Sequence, residues 1–385
     1  MLPDHLVDLA RTVHGSLLGN GQHALDEPSV SAAVRAAAPL LPDGEAAAVT
    51  RAVCARLHGL GPLDPLLGDP EVTEIMVNGA GPVWIERHGR LERTDVALAL
   101  DEVALLVERI VGPLGLRADR SSPIADARLP DGSRVNVVVP PLAVDGPCVT
   151  VRRFGARTIE LDAVAPPGVA PLLRWAIATK ANVVVSGGTG AGKTTLLNAL
   201  TATLPAEERV VTVEDTAELR LPLPHVVRLE ARPASADGLG AVTLRDLVRN
   251  ALRMRPDRIV VGEVRGPEVV DMLWAMNTGH EGSLSTCHAN SPLDALRRLE
   301  VMALSADLDL PLAAAREQIA AAVDLVVQVA REPSGARRIV AVGEVGLPGA
   351  AERLRLLADA DGLRALPARP PRAPGAPEPD RGWLR

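Results

Sequence analysis

Eight residues of the 385-residue chain have the types and spacing of a phosphate-binding loop. Gly187, four intervening residues and then Gly192, Lys193 and Thr194 match the pattern G-x-x-x-x-G-K-[ST] in full. In such a loop, backbone N–H groups turn toward the oxygens of a polyphosphate, and the N-terminus of the next helix adds a favourable dipole. The predicted binding residues are Gly187, Gly188, Thr189, Gly190, Ala191, Gly192, Lys193, Thr194 and Thr195.

Two residues of this loop have separate expected tasks. Lys193 would reach the terminal phosphates as a compact positive charge, and the Thr194 hydroxyl would bind Mg²⁺. The chain has 41 lysines and arginines, but Lys180 and Lys193 are the only lysines. A lysine at the phosphate-binding position of so lysine-poor a sequence supports a chemical requirement for it there.

Carboxylates follow two apolar segments further along the chain. Glu214 and Asp215 follow residues 210–213, and Glu263 follows residues 259–262. Parallel sheets bind ligands at the carboxyl ends of their strands, where a carboxylate can polarise the attacking water or bind Mg²⁺ through water. We assign catalytic roles to Glu263 and Glu214, and a water-mediated magnesium contact to Glu214 or Asp215. The alternative for each is a helix cap or an ion pair.

Gly262 is a departure from the usual pattern, because many P-loop ATPases have a magnesium-binding aspartate at this position. Magnesium binding is therefore expected to depend on Thr194 and on a carboxylate acting through water.

Arginines are candidates for stabilising charge on a transferred phosphate, as an arginine finger does. Arg245, Arg249 and Arg253 are spaced i, i+4 and i+8, which predicts a stripe along one helix face. Such a stripe is usually solvated. The arginine candidates for the site are Arg253, Arg265, Arg152 and Arg153.

Two histidines flank a predicted strand in the segment TGHEGSLSTCHANSP. His280 and His288 could each contact the γ-phosphate or link subunits, and a purely structural role is an equal alternative. We include His288 among the catalytic candidates.

The elements that must position these residues follow from the apolar segments. After residue 170, short strands alternate with helices, which indicates an α/β domain with a parallel sheet. The predicted strands are at residues 183–185, 209–213, 259–261, 283–286 and 325–330.

The whole chain divides into five predicted segments. A helical N-terminal segment (1–58) precedes a small α+β domain (59–156) with strands at 72–77, 83–87 and 149–153 and a hairpin around residues 130–132. The remaining segments are a linker (157–170), the P-loop domain (171–348) and a Pro/Arg-rich tail (349–385), which its composition predicts to be disordered.

Composition restricts the class of function. The net charge of −7 and the shortage of aromatic residues argue against a nucleic-acid-coating protein. Three cysteines without metal-ligand spacing favour a reducing compartment. No apolar stretch predicts a signal peptide or a membrane span, so we expect a cytoplasmic protein whose membrane role, if any, is peripheral.

Taken together and in order, four segments resemble the secretion-superfamily ATPases of type II secretion, type IV pili and conjugation. They are the P-loop, the acidic segment around Glu214-Asp215, IVVGEVRG and the histidine-containing segment. The segments GLGPLDPLL, VTEIMVNG, DARLPDGSRVNVVVPP and VTVRRF are most similar to the Tad/CpaF branch, which powers Flp pilus assembly. Arg120, where the family has an acidic residue, departs from the pattern.

The resemblance implies a RecA-like P-loop core after a smaller N-terminal domain, and ATP and Mg²⁺ as ligands. It also implies a homohexameric ring in which N-domain arginines help to close the site. Hydrolysis would move the domains and act on an integral membrane platform protein, at the cytoplasmic face of the plasma membrane.

Other functions remain to be compared with this motor. A GTPase would need an Asn-Lys-x-Asp segment and an ABC transporter ATPase an LSGGQ-type segment, and the chain has neither. A conjugation-type secretion ATPase, a RecA-like nucleic-acid translocase and a nucleotide-sensing scaffold stay open. The transported substrate and the direction of work do not follow from the sequence.

Overall fold

A computed structural model describes residues 3–19, 26–153, 159–232, 240–306, 309–332 and 335–384. The chain forms two compact units, Met1–Gly155 and Ala156–Arg385. The predicted junction between the α+β domain and the linker, at residues 156 and 157, lies outside the described residues.

The first unit begins with three helices, as the sequence predicts. They are α1 (Asp4–Gly19), α2 (Glu27–Ala37) and α3 (Asp43–His58). Asp26 caps α2 by accepting a hydrogen bond from the Ser29 N–H. Apolar side chains from all three helices, among them Val13, Val30 and Val49, form a core of their own. A short helix, α4 (Asp64–Gly68), follows.

A six-stranded antiparallel sheet forms the rest of this unit, with the order β3-β2-β1-β6-β5-β4. One helix, α5 (Leu100–Val111), buries its apolar face in the same core as the sheet. The predicted strands are present, and β3 is an additional strand that the sequence analysis missed. The strands are β1 (Val72–Asn78), β2 (Gly81–Arg87), β3 (Arg90–Leu98), β4 (Ile124–Arg128), β5 (Arg134–Val138) and β6 (Cys148–Arg152).

The second unit contains a nine-stranded sheet with the order β15-β14-β13-β12-β7-β11-β10-β8-β9. The strands from β12 to β9 in this order are parallel, whereas β13, β14 and β15 are antiparallel. The nine strands are β7 (Val183–Gly187), β8 (Val210–Glu214), β9 (Val226–Glu230), β10 (Arg258–Val264), β11 (Leu284–His288), β12 (Leu325–Arg331), β13 (Arg337–Val345), β14 (Leu354–Asp359) and β15 (Gly362–Leu363).

Helices accompany this sheet, and two large apolar clusters bury its strands. Fully apolar strands such as β7 are expected where both faces of a parallel sheet are covered. The helices are α6 (Leu161–Val164), α7 (Val169–Ala178), α8 (Lys193–Thr201), α9 (Leu244–Ala251), α10 (Glu268–Asn277), α11 (Pro292–Leu304) and α12 (Leu312–Ala322). The α/β fold predicted from the sequence is thus confirmed.

The predicted linker is in part a structured element. Leu161 and Val164 of α6 are buried in the core of the second unit, with 3% and 7% of their surface exposed. The proline- and glycine-containing segment that suggested a linker supplies only the turn before α7.

The prediction of a disordered tail after residue 348 is wrong for the described residues. β14 and β15 extend the sheet, and residues 366–384 pack against the rest of the second unit. Arg369 and Arg372 both form ion pairs with Asp324, which is 6% exposed. Composition alone predicted disorder because it cannot show that the tail forms ion pairs with a buried carboxylate more than 40 residues earlier in the chain.

The same two arginines cap the C-terminus of α12. Arg369 donates to the carbonyls of Ala320 and Val323, and Arg372 donates to those of Ala321 and Ala322. The last carbonyls of a helix have no partner within the helix, and cations are favoured there. The tail is therefore held by charge-assisted hydrogen bonds that also complete a helix.

We expect Arg372→Ala to loosen the tail and to lower the free energy of unfolding of the second unit by about 2 kcal/mol, because it removes hydrogen bonds to a charged group and to buried carbonyls. Urea unfolding and the rate of tryptic cleavage after Arg364 measure the two effects. Arg381→Ala is the matched control, since Arg381 is exposed and has no side-chain partner among the described residues. Equal behaviour of the two variants would contradict the anchoring role.

Candidate active site

The P-loop joins a buried strand to a helix, as its sequence context predicts. β7 is buried at all five positions and pairs in parallel with β11 on one side and β12 on the other. The helix α8 begins directly after Gly192. The loop residues are therefore held between the carboxyl end of a central strand and the positive end of a helix.

The loop positions require glycine for different physical reasons. Gly190 and Gly192 have φ angles of 69° and 98°, which L side chains rarely adopt. Gly187 has no such angle; a Cβ there would lie 2.5 Å from the carbonyl oxygen of Val329 in β12. Gly187 thus allows two strands to pack closely, which the motif by itself did not indicate.

The Lys193 side chain folds back onto the start of the P-loop. Its Nζ donates to the carbonyls of Gly187 and Gly188 at 3.2 Å each, and it is 3.5 Å from Oε1 of Glu263. The side chains of Lys193 and Glu263 are 11% and 19% exposed. The predicted phosphate-binding amine and the predicted catalytic carboxylate are therefore neighbours in one partly buried site.

A local irregularity of β10 aims Glu263 at this site. The pairing of β10 with β11 shifts register between Val261 and Val264, so that Gly262 and Glu263 lie outside the regular ladder. Arg265 Nε donates to Oε2 of Glu263 at 2.7 Å, which leaves Oε1 toward Lys193. Arg265 is also 3.7 Å from Asp215. The sequence prediction placed the strand end at Val261 and did not foresee that Arg265 holds Glu263.

Glu214 is the most buried carboxylate of the site, with 3% of its surface exposed. Its Oε1 accepts hydrogen bonds from the backbone N–H groups of Glu218 and Leu219, at 2.8 and 2.9 Å. Its Oε2 is buried and has no hydrogen-bond partner within the part of the chain that the structure describes. Desolvation raises the pKa of Glu214 to about 7, although these two hydrogen bonds favour the ionised form.

Gly262 is explained by Glu214. A Cβ on Gly262 would lie 2.8 Å from Cγ of Glu214, which is closer than such atoms approach in proteins. The Gly262 carbonyl accepts a hydrogen bond from the Thr286 hydroxyl at 2.7 Å, which fixes the backbone there. The glutamate thus occupies the space that a side chain at position 262 would need.

The two histidines lie at opposite ends of β11. His288 is opposite Gly187 in the pairing with β7, at the edge where the P-loop begins. His280 precedes β11 at the other edge, where its carbonyl accepts from Ser283. A five-residue strand separates the ends by roughly 16 Å. Of the two, only His288 is therefore positioned to contact a phosphate on this P-loop.

The predicted arginine stripe is not a free face. Arg245 and Arg249 each donate from Nε to the buried carboxylate of Asp271 at 2.7 Å. Arg253 comes after the end of α9, beside Met254, whose carbonyl accepts from Arg209 immediately before β8. This is the amino edge of the sheet, so Arg253 does not contact a nucleotide on the P-loop of its own chain.

Arg152 and Arg153 belong to the first unit. Arg153 donates from Nη1 to the carbonyls of Asp69 and Val72, so it joins the start of β1 to the end of β6. Arg152 is exposed at the end of β6, opposite Glu74 and Arg134 in the sheet.

Two further arginines and a polar pair adjoin the P-loop, and the sequence analysis missed them. Arg331 ends β12 and Arg337 begins β13. Ser186 donates to Gln328 at 2.5 Å, and Gln328 donates to the Ala289 carbonyl, which links the carboxyl ends of β7, β12 and β11. The sequence predicts a strand at 325–330, and this strand ends at the ligand edge of the sheet. The rule that selected Glu214, which places ligand sites at the carboxyl ends of parallel strands, therefore also applies to the residues that follow this strand.

A comparison with known protein families gives a match that covers this site. Residues 56–346, well over half of the chain, match the family described as "Type II/IV secretion system protein". The chain belongs to the type II/IV secretion system protein family. Its match includes every predicted site residue.

Curated relatives of this secretion family cover most of the chain. A putative conjugal transfer protein of Mycobacterium tuberculosis is 42% identical over 316 residues, which are 79% of this chain and 89% of that protein. The conjugal transfer protein TrbB of Rhizobium radiobacter is 38% identical and covers 70% of this chain and 83% of its own. The PtlH homolog of Bordetella bronchiseptica, a type IV secretion system protein, is 38% identical over 72% and 91%.

Solved structures share the fold. The Legionella pneumophila ATPase DotB has a TM-score of 0.53 at 23% identity, over 74% of this chain and 79% of that one. The pilus retraction motor PilT, solved with bound ADP, has a TM-score of 0.55 at 21% identity, over 75% and 83%. The RecA-like P-loop fold with an N-terminal domain and the membership of the type II/IV secretion system family are confirmed. The Tad/CpaF branch stays a prediction.

We expect Glu214 to make stability depend on pH between about 4.5 and 7. In the folded state its pKa is raised to about 7 from 4.5. Its stabilising contribution is therefore fully present below pH 4.5 and is lost as the pH rises through 7, on the order of 3 kcal/mol in total. Urea unfolding at several pH values, in chelator and without nucleotide, measures this.

Two variants test the assignment of that pH dependence. Glu214→Gln should remove the decline, whereas Glu207→Gln, which changes an exposed carboxyl before β8, should retain it. An unchanged decline in Glu214→Gln would show that another group titrates.

Proposed function

We propose that the chain is an ATP-hydrolysing motor of a secretion, conjugation or pilus-assembly system. The observation that carries this proposal is the juxtaposition of Lys193 and Glu263, whose charged atoms are 3.5 Å apart at the carboxyl edge of the sheet. Lys193 would bind the terminal phosphates, and Glu263 would accept a proton from the water that attacks the γ-phosphate. ATP is the substrate in this proposal.

Arg265 is best understood as a positioning residue for Glu263. Its guanidinium engages Oε2 of Glu263 and approaches Asp215 within the same chain. This contact fixes the orientation of the carboxylate, with Oε1 directed toward Lys193, where a general base would be needed. The alternative role of Arg265 as an arginine finger stays a prediction.

The residues present fit a magnesium ion. Mg²⁺ prefers oxygen ligands and keeps several waters, so it needs only one or two protein oxygens beside the phosphates. The Thr194 hydroxyl follows Lys193 at the start of α8, and the unpartnered Oε2 of Glu214 offers an acceptor to a metal-bound water. No cluster of three or more metal-ligating side chains occurs within the described residues, which suits a water-mediated site. Bound there, Mg²⁺ would neutralise charge on the phosphates.

The proposed working form is a homohexamer. Arg253 is exposed at the edge opposite the P-loop of its own chain, so a contribution to catalysis requires the site of a neighbouring copy. Arg152, exposed at the end of β6, is a second candidate for closing a site, while Arg153 is engaged within its own unit. The further proposal is that hydrolysis moves the two units and acts on an integral membrane platform protein.

The location and the transport system are proposals of the same kind. Within the described residues, no helix has the length and apolar character needed to cross a bilayer. We place the motor at the cytoplasmic face of the plasma membrane. The conjugal transfer and type IV secretion relatives favour a conjugation-type system, whereas the N-domain segments favour Flp pilus assembly.

Glu263→Gln should reduce ATP hydrolysis by roughly 10² to 10⁴-fold while nucleotide binding persists, because the amide cannot accept the proton. Steady-state phosphate release and nucleotide titration measure the two properties. Glu281→Gln is the matched control, since Glu281 precedes β11 at the other edge of the sheet. Equal rates in wild type and Glu263→Gln would remove Glu263 from the mechanism, and no release by either would favour a scaffold.

Single-stranded DNA should leave the rate of hydrolysis unchanged, because the chain has a net charge of −7 and few aromatic side chains for base stacking. The measurement is phosphate release with and without DNA at low salt. A severalfold increase would support the nucleic-acid translocase instead.

A further inference from the structure

Two arginines of the β12–β13 hairpin reach the P-loop from a side that the proposed mechanism does not use. They are directly paired across the hairpin, Arg331 opposite Arg337. Arg337 donates from Nη1 to the Thr195 hydroxyl at 3.2 Å. Both arginines are partly buried.

The Arg337 side chain lies directly over the residue that precedes Lys193. A Cβ built on Gly192 would be 2.5 Å from Cδ and 3.1 Å from Nε of Arg337. Likewise, a Cβ on Gly190 would be 3.9 Å from Nη1 of Arg331. Both guanidinium groups therefore lie beside the loop whose backbone N–H groups would hold phosphate.

The order of strands indicates which part of a nucleotide lies on this side. β12 is next to β7 on one side, whereas β11, β10 and β8 follow on the other. Glu263 and Glu214 belong to that second side, and Lys193 Nζ points toward Glu263. The terminal phosphate, which Lys193 binds in the proposed function, is thus at the carboxylate side. The opposite end of a bound phosphate chain would therefore extend toward β12 and β13.

We propose that Arg337, assisted by Arg331, binds the α-phosphate end of the nucleotide. The inference rests on the proposed function, because it assumes ATP on the P-loop. The planar guanidinium of Arg337 carries several N–H donors in a fork that suits two oxygens of a phosphate.

This placement makes a distinctive prediction about nucleotide selectivity. ATP and ADP share the α-phosphate, so the loss of Arg337 should weaken both to the same degree. A residue that contacts the γ-phosphate would instead affect the triphosphate alone. Removal of a charge-assisted hydrogen bond corresponds to roughly a 10-fold or larger rise in Kd.

The test is calorimetric titration of the full chain with ADP and with the non-hydrolysable β,γ-imido analogue of ATP, in the presence of magnesium. Arg337→Gln should raise both Kd values by about the same factor, roughly 10-fold or more. Arg338→Gln is the matched control, because Arg338 is the next residue, is exposed and pairs with Glu332 at 3.3 Å. It should change neither Kd by more than about twofold.

Each other outcome has a defined meaning. Unchanged Kd values in Arg337→Gln overturn the inference, and weakening of the ATP analogue alone overturns the α-phosphate placement. If Arg337→Gln does not fold, Arg337→Lys decides, since it keeps the charge without the fork and should weaken both nucleotides equally. If the unmodified protein binds neither nucleotide, the proposed function fails rather than this inference.

Discussion

The parallel register of β7 with its two neighbours is the constraint on which the site depends. Because β11 and β12 run in the same direction as β7, the residues that follow all three strands meet at one edge. Both ends of β7 are fixed by buried polar contacts. Asn182, fully buried just before β7, accepts from the N–H groups of Gly282 and Ser283 and donates to the Met276 and Ala322 carbonyls. At the other end, Ser186 and Gln328 make a second link. The strand is thereby held in register along its length.

The sequence predicted those parts of the fold that depend on local pattern. In these parts, a run of apolar residues adjoins distinctive polar or glycine residues. This applies to the strand and helix around the P-loop and to the strands before Glu214 and Glu263. Two of the elements it missed lack that contrast. β3 (Arg90–Leu98) consists mainly of exposed and half-buried polar residues, and β9 (Val226–Glu230) lies at an edge of the sheet. Only their partners in the sheet define them.

The same distinction holds for individual site residues. Lys193 was found because it belongs to the P-loop motif, and Glu263 because it follows an apolar segment. In contrast, the pairing of Arg245 and Arg249 with Asp271 joins residues more than 20 positions apart, and that of Arg372 with Asp324 spans 48. Composition and helical spacing assigned these arginines to a solvated stripe or a disordered tail. In the structure these arginines instead pair with buried carboxylates, because an unpaired charge in the interior is costly.

The contact between Glu214 and Gly262 has an evolutionary consequence. An aspartate at position 262 would place its Cβ 2.8 Å from Cγ of the buried glutamate, so it requires Glu214 to move. Introducing the aspartate first would force it against Glu214, and shortening Glu214 first would leave the N–H groups of Glu218 and Leu219 without an acceptor. Each single step is thus unfavourable, although the completed double change need not be. Descendants of this protein are therefore expected to keep the pair glutamate and glycine together, as a linked trait separated from the aspartate arrangement by a fitness valley.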